Sequence, residues 1–195
     1  MISAILLAAG ASRRMGKENK LLLPFRDKPL VAHIADEIIA SQPGEVVVVT
    51  GHESLKISDV LSGKPVKIVF NPNYLKGMTT SIQAGVAAAN EHSSGYMICL
   101  SDQPLIYDTE YKMMTANFLK EKINDIGIIQ VPVFEEKRGN PVIFSSIYRE
   151  AILQHQHMEG CREIILQNQI HVRQFAVGKP HILKDIDTPE DYERL

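Results

Sequence analysis

Apolar runs rich in β-branched residues recur along this chain: AILLA at 4–8, EVVVVT at 45–50, VKIVF at 66–70, YMICLS at 96–101 and IGIIQVPV at 126–133. Each reads as a strand buried on both faces. Between them, stretches of helical period lie at 29–41, 53–62, 78–91 and 108–121. Parallel strands need a crossover, and a helix supplies it, so this alternation predicts βαβ units around a mostly parallel sheet with helices on both sides. After residue 133 the pattern loosens. A strand is expected at NPVIF, helices at 145–155 and 161–168, and a strand at IHVRQF. A last short strand, ILKDID, runs into TPEDYERL, where Thr188 caps a terminal helix with Pro189 at its first position. There is no internal repeat, low-complexity tract or long linker, so a single domain over 1–195 is expected.

Composition narrows the partners. The 195 residues are 45% hydrophobic, enough for a sizeable core. With 21 basic against 23 acidic residues, the net charge of -2 provides no global field for a nucleic acid or a membrane surface. Any basic site is therefore local. Cys99 and Cys161 are far apart and lack the spacing of a zinc or redox pair, and Cys99 falls in an apolar run as a buried thiol. No stretch approaches the roughly 20 apolar residues of a membrane span, and no charged leader precedes the first apolar run. A cytoplasmic location is the expectation.

In an open parallel sheet, ligands sit at the carboxyl ends of the strands, and the loop after the first strand is the favoured place. Here that loop opens the stretch AAGASRRMGKENK. Its small residues let backbone N–H groups approach an anion, and Arg13, Arg14, Lys17 and Lys20 bring positive charge. Counting excludes two familiar phosphate loops. A Walker loop needs four residues between its glycine and a Gly-Lys pair followed by Ser or Thr, whereas five residues separate Gly10 from Gly16 and Glu18 follows Lys17. The dinucleotide fingerprint needs three close glycines, and only two are present, which disfavours a hydride-transferring enzyme.

Residues Leu7 to Gly16 resemble, position by position, the signature L-A-A-G-x-S-x-R-M-G of the MobA-like nucleotidyltransferases, most closely the molybdenum cofactor cytidylyltransferase branch, and NKLLLP continues the match through Lys20. The resemblance implies a Rossmann-like three-layer α/β/α fold. It also implies that Leu7, Ala8, Ala9, Gly10 and Ser12 wrap a nucleotide triphosphate, with Arg14 and Lys20 on its phosphates. A second segment, NPNYLKGMTTSIQAG at 71–85, resembles the family's base- and ribose-binding helix start, which assigns Gly77, Met78 and Ser81 to the nucleotide. The same residues also make an ordinary helix start. A third, CLSDQP, is similar to the family's metal motif, so Asp102 is expected to hold Mg2+ against the phosphates, although Asp-x-Pro also makes plain turns. The closing DIDTPED is similar to a further acidic station. By family analogy Asp187 completes the metal shell, with Asp185 in reserve because period two puts both on one side of the expected strand.

KRGNPVIF resembles the family's acceptor loop, which assigns Arg138, Gly139, Asn140 and Pro141 to the acceptor; a β-turn is the equal alternative. MEGCREIIL departs from the family's G-A-R segment, with Cys161 in place of alanine. His52, following a strand, is expected to border the site, while His155 and His157 are expected on the surface. Together these imply attack by an acceptor phosphate on the α-phosphorus of a nucleoside triphosphate, with release of pyrophosphate. CTP is the favoured donor and the terminal phosphate of molybdopterin the favoured acceptor, with transient contact to a molybdoenzyme or its chaperone. The alternatives are a guanylyl or sugar-phosphate nucleotidyltransferase of the same fold, or a binding protein without catalysis.

Overall fold

A computed structural model describes residues 1–11 and 19–194. Among the described residues ten strands form: β1 (Ile2–Ala8), β2 (Pro24–Phe25), β3 (Lys28–Pro29), β4 (Glu45–Thr50), β5 (Lys67–Phe70), β6 (Gly95–Leu100), β7 (Ile129–Phe134), β8 (Lys137–Arg138), β9 (Val142–Ser145) and β10 (Val172–Ala176). Among the described residues the helices are α1 (Leu30–Ala40), α2 (Ser54–Val60), α3 (Met78–Ala88), α4 (Asp108–Glu121), α5 (Arg149–Gln154), α6 (Arg162–Gln167) and α7 (Pro189–Glu193). The main sheet runs in the order β10-β7-β9-β6-β1-β4-β5, with β8 hydrogen-bonded to β7, while β2 and β3 pair as a separate hairpin. β5, β4, β1 and β6 are mutually parallel. β9 enters antiparallel between β6 and β7.

Strand periodicity divides the core into two layers. Ala4, Leu6 and Ala8 of β1, Val46 and Val48 of β4, and Met97 and Cys99 of β6 face Ile34, Ile38, Ile57, Met114 and Phe118 of α1, α2 and α4. Ile5, Val47, Val49, Tyr96 and Ile98 face Ile82, Val86, Ile152 and Ile164 of α3, α5 and α6 on the other side. The result is the three-layer α/β/α arrangement expected from the alternation.

Two expectations are corrected. β5 is not buried on both faces: Ile68 and Phe70 are exposed because β5 is an edge strand. ILKDID does not form a strand. Pro180–Leu183 make a 3-10 turn and 184–187 have no regular structure, so Asp185 and Asp187 are not set on one side by strand period. Thr188 does cap α7, accepting from the Asp191 amide, with Pro189 at the first position.

The first crossover carries the chain from β1 to β4 on one side; β6, reached after β5 and α3, lies on the other. That reversal opens a crevice beyond the carboxyl ends of β1 and β6.

Candidate active site

A cleft of about 470 Å³ lies in that crevice, lined among others by Gly10, Lys20, Ser81, Asp102 and Asp187. Each wall has a local cause. β1 ends at Ala8 and passes into Ala9 and Gly10, residues small enough to leave room beyond the strand. The Ser101 hydroxyl donates to the Leu7 carbonyl oxygen at 2.6 Å, binding the ends of β1 and β6 together. Pro104, which lacks an N–H, follows soon after and is incompatible with continuing the ladder.

Lys20 opens a 3-10 turn, Lys20–Leu22, whose cap is Asn19: its side-chain oxygen accepts from the Leu21 amide at 3.1 Å. The buried Leu21 anchors the turn. The Lys20 ammonium then donates to Asp102 Oδ2 at 2.8 Å, to the Ile186 carbonyl oxygen at 2.7 Å and to Asp187 Oδ1 at 3.2 Å. The segment carrying Asp187 is held independently, because the Ile186 amide donates to the Asp102 carbonyl oxygen at 2.9 Å. Residues 20, 102 and 187, distant in sequence, thus meet at one point.

Gly77, Met78 and Ser81 lie along the opposite wall at the start of α3. The side-chain amide of Asn71 donates to the Ser81 hydroxyl at 3.0 Å, fixing its orientation. Gly77 has φ of 110°, and a Cβ there would lie 2.9 Å from the Met158 carbonyl oxygen. Glycine is therefore required both by the backbone conformation and by the close approach of 157–160. That approach is fastened by Thr79, which donates to the His157 carbonyl and accepts from the Gly160 amide, and by Gln83, whose amide meets the carbonyl oxygens of 152, 153 and 155.

Of the residues singled out from the sequence, Leu7, Ala9, Gly10, Lys20, Gly77, Met78, Ser81, Asp102 and Asp187 line this one cleft. Ala8 turns into the core beneath it. Ser12 and Arg14 lie outside the described residues. Arg138, Gly139, Asn140 and Pro141 do not line the cleft. Arg138 is exposed on β8, Gly139 donates to the Pro132 carbonyl, Pro141 is buried, and the Asn140 amide donates to the Ile182 carbonyl oxygen at 3.4 Å. Gln103 donates to that same oxygen at 3.1 Å. Residues 139–140 therefore support the segment that delivers Asp187. His52 is beside the cleft rather than in its wall, its ring 6.5 Å from that of the lining Tyr74. His157 is exposed and pairs with Glu163, whereas His155 is only half-buried against it. Tyr74, Leu75 and Ser101 line the cleft without having been singled out. Only the position of Ser101 just before Asp102 signalled a role.

The carboxylates suit a hard divalent cation. Asp102 Oδ1 is buried and accepts no hydrogen bond among the described residues, and carboxylate oxygens are the ligand type such ions prefer. No group of three or more His, Cys, Asp or Glu side chains disposed for a metal occurs among the described residues. A cation held by Asp102 and Asp187 would therefore complete its shell with water and phosphate oxygens, as Mg2+ commonly does.

The family model described as the MobA-like NTP transferase domain matches residues 4–172. The chain belongs to this family. It is accordingly a nucleotidyltransferase. Over its whole length it is 28% identical to nicotine blue oxidoreductase of Paenarthrobacter nicotinovorans, covering 96% of that protein. It is 25% identical to the molybdenum cofactor cytidylyltransferase of Escherichia coli K12, over 98% of this chain and 93% of the relative. In three dimensions it resembles Rv0371c of Mycobacterium tuberculosis H37Rv, solved as a complex with manganese, with a TM-score of 0.79 at 21% identity over 100% and 97% of the two chains. The fold is thus Rossmann-like, as expected from the opening loop. Among the described residues no helix is long and apolar enough to cross a membrane.

Proposed function

We propose that this chain, as one catalytic domain, transfers a cytidylyl group from CTP to the terminal phosphate of a molybdopterin-type acceptor. The observation that carries the reading is the meeting of Lys20, Asp102 and Asp187 at the carboxyl ends of β1 and β6. A phosphate acceptor is already ionised near neutral pH and needs no dedicated base. Its oxygen forms a bond to the α-phosphorus, the bond from that phosphorus to the bridging oxygen of the β-phosphate breaks, and pyrophosphate leaves with the electron pair.

Lys20, the cationic side chain among the described lining residues, binds the polyphosphate and stabilises the departing pyrophosphate. Arg14 is assigned beside it from the sequence alone. The amides of the first turn of α3, which have no partner within the helix, and the Ser81 hydroxyl face the base and ribose. Arg138 offers its exposed guanidinium to the acceptor phosphate, with Gly139, Asn140 and Pro141 shaping the turn that carries it. Asp102 and Asp187 would hold Mg2+, which supplies charge neutralisation at the phosphoryl oxygens. The manganese in the Rv0371c structure supports a divalent ion on this fold, and the cytidylyltransferase relative supports CTP and molybdopterin. The buried free thiols of Cys99 and Cys161 suit a reducing, cytoplasmic setting.

Incubation of the protein with Mg2+, each nucleoside triphosphate and candidate phosphorylated acceptors should release pyrophosphate fastest with CTP. Absence of release with every combination refutes the reading, and binding without release assigns a non-catalytic carrier instead. The oxidoreductase name of the 28%-identical relative makes a second reading specific. A nicotinamide-dependent absorbance change in place of pyrophosphate would select it.

A further inference from the structure

The Lys20 ammonium donates to Asp102 Oδ2, to the Ile186 carbonyl oxygen and to Asp187 Oδ1. An ammonium carries three protons and no lone pair, so it serves here as a cation for the two carboxylates assigned above to a divalent ion. Mg2+ takes oxygen ligands at about 2.1 Å. The ammonium stands 2.8 Å from Asp102 Oδ2 and 3.2 Å from Asp187 Oδ1, against the same two oxygens that an ion shared by these carboxylates would use. We infer that Lys20 is a resident counter-ion: it occupies the cation seat in the ligand-free protein and leaves it for the polyphosphate, so that metal and triphosphate load as a pair. This rests on Asp102 and Asp187 being the cation ligands of the proposed transferase.

The surroundings suit an exchange. Lysine is a point charge on a flexible four-carbon stem, able to swing between acceptors without moving the backbone turn. The backbone that carries the two carboxylates keeps a tether when it leaves, because the Ile186 amide is bonded to the Asp102 carbonyl, while the bond from Lys20 to the Ile186 carbonyl is given up. Asp102 Oδ1, buried and without a partner among the described residues, marks a seat that one ammonium satisfies only in part. Thermodynamic reciprocity then requires triphosphate to tighten metal binding by the same factor as metal tightens triphosphate binding.

The test is binding of Mn2+, followed by electron paramagnetic resonance of the free ion, with and without a non-hydrolysable CTP analogue. The wild-type protein should bind Mn2+ weakly alone and about tenfold or more tighter with the analogue, within the usual range of coupling. Lys20→Met should bind Mn2+ alone about tenfold tighter than wild type and lose most of the coupling. Lys20→Gln, checked for fold by circular dichroism alongside it, should do the same. Lys20→Arg, which keeps the charge, should stay near the wild-type value for metal alone. Neutral variants that fold and bind Mn2+ alone no tighter than wild type overturn the inference. If the analogue fails to tighten Mn2+ on the wild type while the neutral variants still gain, Lys20 stands as the counter-ion, and paired loading and CTP as the donor both fall.

Discussion

Gly85→Ala puts the placement of α3 to a test in which two effects oppose each other. Within a helix, alanine is favoured over glycine by about 0.8–1.0 kcal/mol, so propensity alone predicts a more stable protein. Here the helix lies so close to the sheet that a Cβ at position 85 would sit 2.3 Å from Ile5 Cγ2 and 3.0 Å from Val49 Cγ2. Carbon atoms in contact prefer about 3.5–4.0 Å. Ile5 and Val49 are fully buried, on the adjacent central strands β1 and β4, and β-branched side chains are stiff at χ1. Neither can turn aside, so α3 must lift by roughly 1 Å to restore ordinary contact distances. Overpacking of this kind costs about 1–3 kcal/mol; the 2.3 Å approach to a stiff buried side chain belongs to the upper half of that range, about 2–3 kcal/mol, which leaves a net loss of about 1–2 kcal/mol after the propensity gain. For a chain of this size that corresponds to a fall in Tm of about 2–8 °C. Because α3 carries Gly77, Met78 and Ser81 into the cleft, the lift should also raise the KM for CTP several-fold. Calorimetry and steady-state kinetics on the purified variant measure both. A Tm equal to or above that of the wild type would refute the close packing of α3 on the sheet.

Asp102→Asn keeps the shape of the site but removes a carboxylate from Lys20 and from the cation; turnover should fall by about 10²–10³ or more, measured as pyrophosphate release, while circular dichroism stays native. Burial raises the pKa of Asp36 on α1, but hydrogen bonds from Lys64 and Lys28 outweigh it and hold that carboxyl below its ordinary value of 3.8. The stabilisation is therefore complete above that value and is lost as pH falls through the lowered folded pKa, so Asp36→Asn should flatten part of the acid-side fall in Tm. Burial pushes the Cys161 thiol up to about 12 and the Cys99 thiol higher still. Iodoacetamide at pH 8 should leave both unmodified in the native protein and alkylate both in denaturant, as mass spectrometry would show.

Most of the sheet was legible because its central strands are buried on both faces and so read as unbroken apolar runs. β5 has the same composition, KIVF, yet lies at an edge, a difference set by topology that no local pattern records. The β7–β8 hairpin was hidden for another reason. Its turn residues, Glu135 and Glu136, both take positive φ, a conformation usually announced by Asn or Gly. At 182–187 alternating residues suggested a strand, but the segment instead bonds outward through the Ile182 carbonyl and the Ile186 amide to two other segments, at Asp102 and Gln103 on one and Asn140 on the other. Lys20 and Asp102 could be placed near one another from strand-end logic. The direct grip of Lys20 on both carboxylates could not, because it depends on where a loop beyond β10 returns.

The tether from Ile186 to Asp102 has a consequence for how the protein becomes competent. The central strands can form a complete sheet while 180–194 is still undocked, but the carboxylate pair then lacks one member. Local opening of that short segment would silence the site without melting the sheet. A protease nick near the exposed Lys184 and Asp185 would thus separate two properties that ordinarily go together: a chain that still folds, and a chain that still works.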